Sequence, residues 1–160
     1  MAWGKNGTPS TLTGAADVIT ISDLTAKKFN VFLNHVIGST TVDIDQGFNN
    51  NTDTVYAIRK SADGGADATA VSDTKIDKST TATTIFDINY TCAIVGQEKL
   101  TIGFLVNQNT AGAANAPSRI EYVGKFVPSP DATITRVDII NTGTTNEYSI
   151  SSNVSALGTD

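Results

Sequence analysis

The sequence predicts an all-β protein, an antiparallel β-sandwich of the jelly-roll type with one short amphipathic helix at about residues 23–37. The main observation is an alternation of apolar and polar residues at 84–94, the period of two that a half-buried strand shows. Two further alternating segments follow at 100–106 and 119–127. Thr, Asn and Ser are abundant, and this mixture suits strands that are joined by polar loops.

The predicted domain organisation is a polar, extended N-terminal arm at residues 1–16 and a single sandwich domain at residues 17–160. A chain of 160 residues suits one domain, since a domain of this size buries roughly 70% of its unfolded surface. A polar connection is expected at 73–82. The predicted strands lie at 18–22, 41–45, 54–59, 69–72, 84–95, 100–106, 119–127, 133–140 and 148–152.

The predicted helix follows the first strand, where the period of the apolar residues changes. Ser22 or Asp23 can cap its first turn, and Gly38 is placed to end it. An isolated helix of this length is marginal in water, so its apolar stripe must be buried. The residues that recur at three- and four-residue spacing are Phe29, Phe32, Leu33 and Val36.

Composition disfavours several function classes. The net charge is −5, and the 11 Lys and Arg residues are scattered without interleaved aromatics, which argues against a basic nucleic-acid-binding surface. The N-terminus has no apolar signal region, and no stretch is apolar for long enough to form a membrane-spanning helix. The sequence therefore predicts partners that are neither nucleic acid nor membrane.

Residue types that carry catalysis or bind metals are sparse. Cys92 is the one cysteine, and its place in the apolar series predicts a small buried hydrophobe. His35 is the one histidine and has no identifiable triad or zinc partner. Asp43 and Asp45 begin a stretch that resembles a calcium loop, but Gly47 occupies a ligand position and no glutamate closes the loop. The sequence predicts no enzyme, no cofactor and no metal site, with calcium as an open alternative.

Two features are predicted to contact other chains. Trp3 lies in the N-terminal arm, and interfaces favour Trp as an anchor; packing over one end of the sandwich is the alternative. The second feature is a long uncharged loop whose small residues permit close backbone approach; a flexible excursion between two strands is the alternative. The loop residues are Gln108, Asn109, Thr110, Ala111, Gly112, Ala113, Ala114, Asn115 and Ala116.

Seven segments form an ordered set that runs from end to end of the chain: Trp3-Gly-Lys, Leu24-Thr-Ala-Lys-Lys-Phe29, Ser61-Ala-Asp-Gly-Gly-Ala-Asp67, Glu98-Lys-Leu-Thr-Ile102, Asn107-Gln-Asn-Thr-Ala-Gly-Ala-Ala-Asn-Ala-Pro-Ser-Arg119, Val123-Gly-Lys125 and Ser152-Asn-Val-Ser-Ala-Leu-Gly-Thr-Asp160. Together they resemble small proteins encoded by tailed bacteriophages of marine waters. The resemblance implies a virion component, a capsid decoration or cement protein that contacts the major capsid protein and copies of itself. A trimer on the capsid surface, made in the host cytoplasm, is the expected form. The resemblance brings no catalytic or binding residues with it.

Two other functions remain open at the level of sequence. A receptor- or glycan-binding module of a head fibre or tail could use aromatic side chains to stack on sugars, and the candidates are Tyr56, Tyr122 and Tyr148. A carbohydrate-acting enzyme would need paired acidic groups, and the three glutamates are Glu98, Glu121 and Glu147. Spacing in the sequence does not bring any two of these glutamates together.

Overall fold

The computed structural model describes residues 2–93, 96, 98–143 and 147–160. The chain is all-β, with a large antiparallel sheet, and this confirms the predicted fold class. The strands are β1 (Gly4–Lys5), β2 (Ser10–Thr11), β3 (Val18–Ile21), β4 (Phe29–Phe48), β5 (Tyr56–Ala62), β6 (Ala68–Asp73), β7 (Ile76–Cys92), β8 (Lys99–Gln108), β9 (Ser118–Phe126), β10 (Val137–Ile140) and β11 (Asn153–Thr159).

The strands are hydrogen-bonded in the order β1-β11-β4-β7-β8-β9-β5-β6, and β10 joins β3 to the second half of β4. Strands β1 and β2 pair with β11, so parts of the N-terminal arm lie along the last strand of the chain. Strand β4 pairs with β7 along most of the length of both strands. These two long strands therefore carry the sheet from one layer of the sandwich to the other.

The folding-back of β4 and β7 is visible in their side chains. Phe32 and Phe48 lie sixteen residues apart in β4, about 50 Å in a straight strand, yet their ring centroids are 6.1 Å apart. In β7, Lys78 Nζ lies 2.6 Å from an Asp87 carboxylate oxygen, although nine residues separate them. Each long strand thus bends so that its two halves face each other across the interior.

Gly38 lies at the bend of β4. The register of β4 against β7 shifts between Ile37 and Val42, as expected for a bulge that turns a strand sharply. A Cβ atom at position 38 would overlap the Thr40 carbonyl oxygen and the Val42 side chain. Only glycine fits this close approach, so Gly38 permits the bend instead of ending a helix.

The helix predicted at about residues 23–37 is wrong, because Phe29 begins the 20-residue strand β4. Alternate residues of this segment are almost fully buried: Asn30, Phe32, Asn34 and Val36 are each at most 1% exposed. Two of these four are polar, so the period of two is hidden from a pattern of apolar residues alone. Strands β7 and β11 flank this part of β4 and bond both of its edges.

Other boundaries also differ from expectation, and the strand predicted at 133–140 spans only Val137–Ile140. Residues 76–82, predicted as a polar connection, form the first half of β7, and they are held there by pairing with the second half of β4. The strand predicted at 148–152 is absent; Tyr148 makes only isolated bridges, and the last strand is Asn153–Thr159. Ile94 and Val95, predicted as the end of a strand, and Gln97, predicted in a turn, lie outside the described residues.

One part of the interior is an aromatic and aliphatic core. The rings of Tyr56 and Phe126 stack with centroids 4.8 Å apart, and Phe48 lies 5.5 Å from Phe126. Strands β3 and β10 add branched aliphatic side chains such as Ile21 and Ile139, which are fully or almost fully buried. This cluster holds the second half of β4 against β5 and β9.

Another part of the interior is polar and is centred on the carboxylate of Asp87. Asn34 Nδ2 and Lys78 Nζ each donate a hydrogen bond of 2.6 Å to Oδ2, and the Tyr122 hydroxyl donates one of 2.6 Å to Oδ1. Gln46 accepts hydrogen bonds from Lys78 and from Asn89, which also bonds Asp87. A buried charge is costly unless it is paired and hydrogen-bonded, and this carboxylate has four donors.

Tyr122 reaches Asp87 because its register partner on β8 is Gly103. A Cβ atom at position 103 would overlap the Tyr122 ring. Burial raises the pKa of the Tyr122 hydroxyl well above its ordinary value, and the Asp87 charge adds to this effect. The hydroxyl therefore remains a donor, and Lys78 Nζ also lies 5.1 Å from the centroid of its ring.

We expect Asp87→Ala to lower the free energy of unfolding by about 3–5 kcal/mol, because Lys78 would be left buried without its counter-charge. Urea denaturation measures the loss. Asp67→Ala is the matched control, since Asp67 pairs with Arg59 at an exposed site where an ion pair contributes about 0–1 kcal/mol. Equal losses in the two variants would contradict the role of the Asp87 network.

Candidate functional site

The alternation predicted at 84–94 is present in β7, but its two faces are reversed. Asp87, Asn89 and Thr91 are buried, at 1% exposure or less, whereas Phe86 and Tyr90 are each 47% exposed. Cys92, predicted to be buried, is only partly buried on the exposed side, and Ile94 lies outside the described residues. The prediction of a buried apolar face is therefore wrong, because the polar face of β7 supplies the Asp87 network.

The exposed apolar face continues onto the neighbouring strands. In register, Phe86 lies opposite Val106, and Ile102 lies opposite both Tyr90 and Val123. Leu105, between these outward residues of β8, is fully buried, so β8 alternates as strictly as β7. We call this surface the outer face, and its exposed large side chains are Phe29, Phe86, Tyr90, Leu100, Ile102, Phe104, Val106 and Val123.

The exposed apolar area of the outer face is large for a protein that remains a monomer. Its eight side chains are between 39% and 56% exposed, and together they present roughly 700 Å² of apolar area if each fully exposed side chain offers 150–250 Å². The largest apolar patch of a typical monomer is about 300–600 Å² and is often functional. The outer face lies at or above the upper end of that range, which is typical of an interaction surface.

Charged residues border the outer face along β9 and β5. Arg119 pairs with Glu121 at 3.5 Å, and Lys125 pairs with Glu98 at 2.9 Å. Arg59, the register partner of Val123, extends this border onto β5. An apolar centre with an exposed rim of both charge signs has the anatomy of a protein–protein interface.

A groove of about 740 Å³ lies at one end of the outer face. Trp3, predicted as an anchor, lines this groove and is 48% exposed. The arm thus places the indole beside the outer face, in a position to contact whatever covers that face. The principal apolar side chains that line the groove are Trp3, Phe29, Tyr90, Leu100, Ile102 and Val123.

The small-residue loop at 108–116 lies at the opposite end of β8 from this groove. Leu100 and Gln108 are eight residues apart along the strand, about 26 Å. Every residue of the loop is exposed, and Asn115 bonds the carbonyl oxygens of Ala111 and Gly112. The structure therefore does not bring Trp3 and the loop together; they flank the outer face from two ends.

The aromatic side chains proposed for sugar stacking are buried. Tyr56 is 1% exposed, Tyr122 is 3% exposed and Tyr148 is fully buried. Their hydroxyl groups donate to Phe48, Asp87 and Asp43 respectively, so all three have structural partners. None of these rings can stack on a ligand from solvent.

The acidic residues of the second half of β4 lie near the start of β7. Asp45 is 2% exposed, accepts the Lys78 backbone N–H, and lies 3.9 Å from Lys75 Nζ. Burial, followed by the charges of Asp43 and Asp77, raises the pKa of Asp45 from 3.8 to about 7. Within the described ranges, no group of three or more His, Cys, Asp or Glu side chains is arranged to hold a metal ion.

Comparison with known proteins finds no relative of this chain. No protein-family model matches the chain, and no curated protein sequence or solved structure matches it. In the part of the chain that the structure describes, no helix has the length and apolar character needed to cross a membrane.

The sequence alone did not lead to a prediction of the outer face, although most of the strands that form it were predicted. The same alternation that predicts a strand is compatible with either face pointing inward. A signal was present in Asp87 and Asn89, which occupy one face, and in the polar residues Asn30 and Asn34 of β4. Polar residues repeated on one face of adjacent strands can form a hydrogen-bonded interior, which leaves the apolar face outside.

We expect the free energy of unfolding to fall by on the order of 2 kcal/mol between pH 5 and pH 8, because Asp45 holds its proton more tightly in the folded state. For a raised pKa, this stabilisation is complete below about pH 4 and is lost as the pH rises through about 7. Asp45→Asn cannot ionise and should abolish this part of the fall. Urea denaturation across the pH range measures it; Asp67→Asn, at an exposed site, should keep the wild-type dependence.

Proposed function

We propose that the protein is a structural component of a virion, a capsid decoration or cement protein that acts by binding neighbouring subunits. The observation that carries the proposal is the outer face, an apolar surface of roughly 700 Å² that a monomer leaves in contact with water. The resemblance of the sequence to small proteins of marine tailed bacteriophages supports a virion as the assembly. The assembled form is a symmetric homo-oligomer bound to the major capsid protein.

The energetics favour a role in assembly. At about 25 cal/mol per Å², covering the outer face contributes on the order of 17 kcal/mol before the costs of association. Lost freedom of the bound molecules alone offsets about 4–15 kcal/mol of that gain, so the affinity of a single contact depends on how well the two surfaces pack. A cement protein repeats such contacts over many copies, and avidity then multiplies their effect.

The arm and the loop would extend these contacts. Trp3 flanks one end of the outer face, and the residues at 108–116 flank the other, where their small side chains permit close backbone approach. Between them, the hydrogen bonds to Asp87 from Asn34, Lys78 and Tyr122 connect β4, β7 and β9. A connected scaffold with contact elements at both ends is what a protein that bridges subunits requires.

We expect particles of the encoding phage that lack this protein to release DNA at a lower temperature than complete particles, because inter-subunit contacts are lost. Added purified protein should bind the heads in many copies and restore the release temperature. A dye that reports released DNA measures the effect during heating. Absence of the protein from purified virions, or release at an unchanged temperature, would contradict the cement function.

A receptor- or glycan-binding module of a fibre is the second candidate, and the groove is the observation that favours it. Trp3, Phe29 and Tyr90 bring three aromatic side chains to a groove of about 740 Å³, and such rings can stack on sugars. This groove replaces the buried tyrosines as the candidate binding site.

If the groove binds a glycan, we expect Trp3→Ala to weaken that binding about tenfold, the loss of one aromatic contact. A glycan array followed by titration of the strongest ligand measures the change. Ile150→Ala, an exposed apolar residue that does not line the groove, is the control. A protein that binds no glycan from host-cell surfaces would exclude this candidate.

A further inference from the structure

We propose that the outer face binds the outer face of a second copy of this chain, in a two-fold, face-to-face pair. The pairing rests on the proposed function in one respect, namely that the outer face is covered in the assembled state. It adds the identity of the neighbour and the symmetry of the contact. Two sheets that pack face to face lie about 10 Å apart with interdigitated side chains, as in the core of a sandwich.

The area of the outer face matches what such a pair needs. A stable interface buries about 800 Å² on each partner, and the eight exposed apolar side chains alone present roughly 700 Å². The border residues of β9 and β5 would supply the remainder. Aromatic side chains, which interfaces favour, make up half of the eight: Phe29, Phe86, Tyr90 and Phe104.

The charges are compatible with self-association. The chain carries a net charge of −5, but none of the eight side chains that define the outer face is charged. The rim offers Arg119 and Lys125 together with Glu98 and Glu121. A rim of both signs can be complementary to a rotated copy of itself, whereas a rim of one sign would repel it.

Other occupants fit the outer face less well. A small apolar ligand in the groove would leave Phe86, Phe104 and Val106 exposed, since none of them lines it. An anionic lipid surface would be repelled by the net charge of the chain. A single continuous layer of side chains is covered completely by one other layer, which favours a two-fold pair over the trimer expected from the sequence.

The test compares matched valine variants of the full-length protein by sedimentation velocity over a concentration series. Val123 is 48% exposed on the outer face, and Val18 is 42% exposed on β3, outside that face. We expect wild-type protein to be a dimer at about 10 µM and Val123→Lys to raise the dissociation constant at least 100-fold, because two unpaired lysines would be buried. Val18→Lys should sediment like wild type.

The variants must first be shown to fold, and Ile102→Lys gives an independent position on the same face. Both outer-face variants replace an exposed side chain, so their monomers should melt cooperatively with native circular dichroism. A wild-type monomer at 100 µM, a wild-type trimer, or equal weakening by Val18→Lys would overturn the pair. Unchanged dimers of both Val123→Lys and Ile102→Lys would overturn it as well.

Cys92 provides a second readout, because it is the one cysteine and lines the groove of the outer face. Its labelling by a maleimide should slow as the wild-type concentration rises through the dissociation constant, and should not depend on concentration in Val123→Lys. Dimers that leave the labelling rate unchanged would overturn face-to-face pairing. Wild-type monomers that still bind and stabilise phage heads would overturn the face-to-face pair but not the proposed virion function. Wild-type dimers that never bind phage heads would overturn the virion function but not the face-to-face pair.

Discussion

The contact between Lys78 and Asp87 determines much of this architecture. It joins the two halves of β7 across the interior, so it can form only when that strand has bent. Once the pair is formed, Asn34, Asn89 and Tyr122 complete the hydrogen bonding of the carboxylate. Because a buried charge without partners is strongly unfavourable, the bend, the network and the position of Tyr122 depend on one another.

The outer face is a consequence of that network. A strand that turns Asp87 and Asn89 inward must turn Phe86 and Tyr90 outward, since successive side chains point to opposite faces. The neighbouring strand β8 follows the same alternation, so its apolar residues join the same surface. The molecule thus combines a partly polar interior with an apolar exterior face, and assembly with another subunit is the physical resolution we propose for that exterior.

The strands with clean alternation were predicted well, because β8 and β9 show their period in apolar residues alone. The helix prediction was wrong for a local reason. Asn30 and Asn34 lie on the buried face of β4, and the remaining apolar residues then mimic helical spacing. The first half of β7 was missed because its polar residues are held by pairing with β4, which is remote in sequence. The sequence indicated Trp3 as an interface residue, but it did not predict that Trp3 lies beside the outer face.

The amino-acid sequence by itself determined that this chain forms antiparallel strands, where the most regular ones lie, and that each has one apolar and one polar face. Only the tertiary structure decided which of those faces is buried. The physical reason is that alternation is symmetric between the two sides of a strand, whereas the partners of Asp87 come from distant positions that meet only after β4 and β7 bend. Burial of the polar side became favourable through those non-local hydrogen bonds.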